Sequence, residues 1–336
     1  IQPVGTGPFK FVSWMPGVEV VMERNPDYWG EAPMVDQVIF RPIIEDQARL
    51  TEFEAGGVNF IVNIPPDELA RLKDDDRYTV IEQPGMHTWW VAFNHAREPY
   101  DDVRVRQAMN YAINRQAIVD NILKGTGVVA INPLPPVVWS YTDDVQRYDY
   151  DPEKARALLA EAGYPDGFEC VFWVPESGSG MQQPVTMGTA MQADLLAVGI
   201  DCEIQTFEWG TYLDGVFVPP EEAEYDLMEM SWIGDNGDPD NHLYILLSGE
   251  QWPPHGYNAG FYKNEEVDAL LREARTTLDQ ARRTELYQEA QKLIAEDPPW
   301  MMVDHETQIV AMDNKIKGFK LHPTGPFRFE KVWIEE

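Results

Sequence analysis

Residues 168–209 limit the fold more than any other stretch. They read as a strand "FECVFWV", a loop "PESGSGMQQP", a helical "TAMQADLLAVG" and a second strand "IDCEIQTFEW". A strand, a helix and a strand in succession imply parallel neighbours joined by a right-handed crossover. Parallel strands need a long connection, and strand twist selects its hand. The sheet then carries helices on its faces, which is the α/β class. Cys170 and Cys202 are each the fourth residue from the glycine that opens their segments, in "GFEC" and "GIDC". That places them at matching heights on adjacent strands. Two readings stay open for the pair: small buried hydrophobes, or one disulfide, which would argue for export. Their spacing fits no zinc motif.

The flanking sequence extends this pattern. "FKFVSWMPGVEVVMERNPDYW" alternates around a Pro-Gly turn, as a hairpin does. "EDQARLTEFEAGG" reads as a helix ended by glycine, and "HTWWVAFN" as a strand with a strongly apolar face. "DDVRVRQAMNYAINRQAIVDNILKG" reads as one helix with Val105, Met109, Ala112 and Ile113 on a stripe. Asp151 as N-cap, Pro152 at the first helical position and Gly163 beyond the end bracket another helix. Asn264 and Asp279 cap two more, the second stopped by Pro298-Pro299, and the tail returns to strand character. A chain of 336 residues is too long for one ordinary core. Two lobes are expected: residues 1–90 with 305–336 as lobe I, and 91–304 as a continuous α/β lobe II. A cleft between lobes is a favoured place for a ligand.

The formal net charge is −31, which makes nucleic acid and anionic membrane surfaces poor partners. No apolar run approaches the roughly 18 residues of a membrane span. Between Arg156 and Lys263 there is neither lysine nor arginine. An anion bound there would have to use backbone N–H groups, hydroxyls or histidine. The six histidines show no ligand spacing, and no nucleophile elbow, P-loop or zinc-protease helix occurs.

The densest polar segment is "WIGDNGDPDN", residues 232–241, at the mouth of the strand in "AEYDLMEMS". A calcium loop starting at Asp235 would place Asp240 where glycine belongs and Leu246 where glutamate belongs, so that reading fails. A catalytic carboxylate pair on one short loop rarely flanks a bond from both sides. Turn chemistry accounts for Asn236, Gly237, Asp238 and Pro239. Asp235 stands apart, three residues after Trp232. A buried carboxylate beside an indole suits an ammonium, through a charge-assisted hydrogen bond and a cation–π face. The backbone of Ser177, Gly178, Ser179 and Gly180, in a glycine-rich loop before a helix, is a candidate anion cradle. His242 lies in sequence near the proposed pocket.

Several stretches together carry a resemblance: "GTGPFKFVSW", "NPDYWG", "FNHAREPYDDVRVRQAMNYAINRQAIV", "DPEKARALLAEAGYPDGF", "AVGIDCEIQTFEWGTYL" and "WIGDNGDPDN". The chain resembles the extracytoplasmic solute-binding proteins of ABC importers that take peptides, nickel or glutathione, and most of all their dipeptide-binding branch. The resemblance implies a two-lobe Venus-flytrap fold with mixed sheets, a periplasmic or extracytoplasmic location, and no catalysis. It implies a monomer without cofactor that binds a peptide-like or amine-bearing molecule and delivers it to a membrane permease. It assigns the ligand's α-amino group to Asp235, with Trp232 beside it. Two departures stand out. The family's long upstream stretch is absent from this sequence, so lobe I is expected to be incomplete. The loop "PESGSGMQQP" lacks the arginine that dipeptide binders use for the ligand carboxylate. The rival expectations are a hydrolase using Asp235 and Asp238, and a metal-chelate binder like the nickel members.

Overall fold

In the computed structural model, which describes residues 3–178 and 180–336, the chain forms two units. One comprises residues 1–83 and 308–336, the other 84–307. In the smaller unit, β1 (Phe9–Met15) and β2 (Glu19–Arg24) pair antiparallel across the Pro16–Gly17 turn, where Gly17 takes φ +73°. β3 (Gln37–Phe40) adds to β2. Next come α1 (Asp46–Glu54), β4 (Phe60–Val62), α2 (Pro66–Lys73) and β5 (Tyr78–Pro84). Their core holds Leu50, Phe53, Ile61, Ile64, Leu69 and Leu72.

The larger unit is the α/β body. Its strands are β6 (His87–Phe93), β7 (Gly127–Val129), β8 (Phe168–Pro175), β9 (Ile200–Phe207), β10 (Leu227–Ile233) and β11 (Trp300–Asp313). The helices are α3 (Val103–Ala112), α4 (Arg115–Ile118), α5 (Pro152–Ala162), α6 (Pro184–Leu196), α7 (Trp209–Val216), α8 (Asp240–Leu247), α9 (Glu265–Thr276) and α10 (Gln280–Glu296). The strand order is β11-β6-β10-β8-β9, with β7 paired to β11. The β8–β9 and β10–β8 pairs are parallel and the pairs through β6 antiparallel, so the sheet is mixed. β11 runs on into the smaller unit, where residues 310–312 pair with β4. There β12 (Ile316–Lys317) and β13 (Trp333–Ile334) close a short ladder.

Two cores flank this sheet because successive strand side chains point to opposite faces. Leu227, Trp89, Val91 and Phe172 join α3, α5 and α6 on one side. Met228, Met230, Trp90 and Trp173 join α7, α8, α9 and α10 on the other. Cys170 and Cys202 pair in register on β8 and β9, their Cα atoms 4.4 Å apart, and form a disulfide. Asp151, Asn264 and Asp279 each accept a backbone N–H as N-caps.

The helix expected from 101 to 125 is interrupted. Ile113 is extended, and Asn114 starts a new helix by accepting the Ala117 N–H. Asp194 of α6 takes the Asn114 N–H, so tertiary contact fixes the break. Two short helices escaped the sequence reading. α7 contains two glycines, and α8 begins inside the turn-rich aspartate segment.

Candidate functional site

The parallel strands β8 and β10 end at the edge of the larger unit where β6 begins. This is the general position for ligands in α/β sheets, outside the strands' carboxyl ends. The β6–β10 register sets Trp232 against Thr88 and Ile233 against His87. The loop after β8 folds over these ends. A Cβ on Gly180 would lie 3.1 Å from His87 Cδ2 and 3.3 Å from Ile233 Cδ1, and the residue has φ +70°. Only glycine fits there without strain.

Residues 232–241 are organised by Asn241, which is buried at the start of α8. Its Oδ1 accepts the Trp232 indole N–H at 2.8 Å and the Asp235 backbone N–H at 3.3 Å. The Trp232 ring is half-buried and packs at a tilt on Tyr257, with centroids 5.3 Å apart. The three aspartates then separate by partner. Asp238 accepts Arg283 at 2.8 Å and also takes the Asp240 N–H, closing the turn. Arg275 lies 3.2 Å from Asp240 and stacks over the Tyr244 ring. Asp235 has no ion pair among the described residues and is exposed. The sequence reading took Asp235 as a buried carboxylate, and the structure corrects that. The residue lies beyond the end of β10, and Asn241 holds its main chain and leaves the side chain in solvent.

His242 is 1% exposed. Its Nε2 lies 3.2 Å from the Met86 carbonyl, and burial pulls its pKa down to about 4. It is therefore a neutral prop beneath the segment: a Cβ on Gly234 would approach His242 Cε1 to 2.6 Å. In the glycine-rich loop, Ser177 is exposed and Gly178 and Gly180 are half-buried, while Ser179 lies outside the described residues. Several backbone donors here are already engaged. The Glu176 N–H bonds Phe207 O, that of Met181 bonds Gly178 O, and that of Gln182 bonds a Glu306 carboxylate oxygen at 3.1 Å. α6 begins with Pro184, which has no N–H to offer.

Glu306 belongs to a feature that sequence reasoning missed. Asp304 and Glu306 of β11 are both buried, and so is Glu229 of β10. Neither oxygen of Asp304 or of Glu229 has a hydrogen-bond partner among the described residues. Burial pushes all three pKa values up, that of Asp304 to about 8, and Asp304 adds to the rise at Glu306. The available signal was two acids at i and i+2 in the otherwise apolar strand "WMMVDHETQIV". Among the described residues, no group of three His, Cys, Asp or Glu side chains is arranged to hold a metal ion. No helix there is long and apolar enough to cross a membrane.

Residues 1–254 match the family described as "Bacterial extracellular solute-binding proteins, family 5 Middle". The dipeptide-binding protein of Escherichia coli is 35% identical over 343 residues, covering 100% of this chain and 62% of that protein. Heme-binding protein A of Haemophilus influenzae is 36% identical over 335 residues, covering 99% of this chain and 60% of that protein. The structure of Helicobacter pylori DppA in complex with the peptide STSA superposes with a TM-score of 0.91 at 32% identity, over 100% of this chain and 64% of that one. This chain belongs to the family 5 extracellular solute-binding proteins, a family of binding proteins rather than enzymes, and has their α/β periplasmic-binding-protein fold with mixed sheets. It spans about three-fifths of the length of the relatives it matches.

Proposed function

We propose that this chain is the ligand-binding part of an ABC-importer solute-binding protein. Its ligand is a peptide-like or other amine-bearing small molecule, released unchanged to a membrane permease. The ammonium of that ligand pairs with Asp235 beside the Trp232 ring. One observation carries this reading. Of three aspartates in the 232–241 segment, Asp238 and Asp240 have arginine partners, and Asp235 alone is left without one among the described residues. The same observation disfavours the rival hydrolase, because Asp238 is taken up by Arg283 and by the Asp240 N–H rather than left free beside Asp235. The two units correspond in this reading to the two lobes. The protein works outside the cytoplasm, as a monomer, at the membrane only through its transporter, and without nucleic acid. Calorimetric titration with a set of dipeptides and amines tests it. Binding with unchanged ligand recovered afterwards is the expected result, with a loss of at least tenfold in Asp235→Asn. Turnover of a bound ligand would overturn it.

A further inference from the structure

We infer that the ligand of this site is an organic cation without a free carboxylate, such as a diamine or an amidated peptide. This deepens the reading above and rests on it. Residues 157–262, which include both the glycine-rich loop and the 232–241 segment, contain eighteen acidic residues and no lysine or arginine. Among the described residues six arginines reach this segment from outside it, and all are occupied. Arg104 and Arg156 bond the Glu161 and Ala197 carbonyls and pair with Asp102 and Glu153. Arg97 pairs with Asp226 at 3.2 Å and Arg272 with Glu250 at 2.6 Å. Arg275 lies 3.2 Å from Asp240, and Arg283 is 2.8 Å from Asp238.

Backbone donors do not replace them. With Glu176, Met181 and Gln182 engaged and Pro184 lacking an N–H, the described part of the loop leaves at most Ser177, Gly178 and Gly180. The group that takes the Gln182 N–H is itself a carboxyl, Glu306, and Asp304 lies next to it on the same strand. Protonated or not, this pair supplies no positive charge. A carboxylate laid on the loop would meet acid beneath it and gain few hydrogen bonds.

The same edge offers a second place for a cation. Glu176 opens the loop at the end of β8, is exposed, and has no ion pair among the described residues. β8 and β10 are adjacent and parallel. Glu176 directly follows β8 and Asp235 follows β10 by two residues, so both lie beyond the same ends of neighbouring strands, and neither has an ion pair among the described residues.

The test titrates the purified protein with three probes: a dipeptide, the same dipeptide as its C-terminal amide, and an α,ω-diamine of similar length. Asp235→Asn and Glu176→Gln are run in parallel. The amide or the diamine is expected to bind at least tenfold tighter than the free acid. Glu176→Gln should weaken the diamine and, by removing a negative charge, bind the free acid no more weakly than the parent does. A free acid bound as tightly as its amide, or more tightly, overturns this inference and leaves the proposed function standing. No binding of any probe, or binding insensitive to Asp235→Asn, overturns the proposed function and this inference with it.

Discussion

Replacing Asp304 by asparagine is expected to raise stability modestly at pH 5 and considerably more at pH 7. Asp304 is fully buried, and neither of its carboxyl oxygens has a hydrogen-bond partner among the described residues. Around it stand Glu306 on its own strand, Gly127 of β7, the Leu123 side chain that also packs on Gly127, and Trp89 across the β6 ladder. None of these is positive. Burial therefore holds its pKa near 8, whereas an aspartate in an unfolded chain ionises near about 3.9. Between those values the folded protein keeps a proton that the unfolded chain has released. Stability from this group is fully present below the lower value and is lost as pH rises towards the upper one. The loss is about 1.4 kcal/mol per pH unit, hence about 2.7 kcal/mol from pH 5 to pH 7. Asparagine copies the shape of the protonated acid and has no such proton to lose. At roughly 2–4 °C per kcal/mol for a unit of this size, the gap in melting temperature between variant and parent should widen by about 5–10 °C from pH 5 to pH 7. Differential scanning calorimetry of both proteins from pH 5 to pH 8 at fixed ionic strength measures this. Taking the difference at each pH removes the contributions of acids away from Asp304, while Glu306, whose pKa Asp304 helps to raise, widens the gap in the same direction. A gap that fails to widen between pH 5 and pH 7, or a variant less stable at pH 7, refutes the reasoning. Asp304 would then be ionised in the folded protein.

Further outcomes follow from the same structure. Asp238→Asn should cost about 1 kcal/mol of stability by leaving half-buried Arg283 without its partner. Ligand affinity should change far less than in Asp235→Asn, and equal losses in calorimetry would remove the distinction between the two acids. The disulfide closes a separation of 32 residues. Replacing both cysteines by alanine should cost about 3–4 kcal/mol in denaturant unfolding, and a cost under about 1 kcal/mol would contradict it. Gly188→Ala on α6 would bring a methyl 2.6 Å from Glu229 Oε1 and 3.0 Å from Val174 Cγ2. It should lower stability by about 1–3 kcal/mol, and an unchanged melting temperature would show that Glu229 is free to move.

By itself, the sequence determined the elements whose signals are local. The caps at Asp151, Asn264 and Asp279 act within one turn, and the Pro16–Gly17 hairpin is set by its own turn residues. The β8–α6–β9 unit was legible because a parallel pair needs a crossover, and the matching glycine offsets already fixed the height of Cys170 against Cys202. Asp235 was singled out from Trp232 and the turn chemistry around it, but was read as buried where the structure exposes it. Only the tertiary structure decided what long-range partners decide. Arg283 and Arg275 come from helices some forty residues away to take Asp238 and Asp240, and this leaves Asp235 exposed and unpaired among the described residues. The break at Ile113–Asn114 depends on Asp194 of another helix, and the burial of Asp304, Glu306 and Glu229 on strands packed on both faces. An acid in a strand reads the same in sequence whether water or a helix covers it. Its energy is set by which one does, and that is a property of packing across the chain.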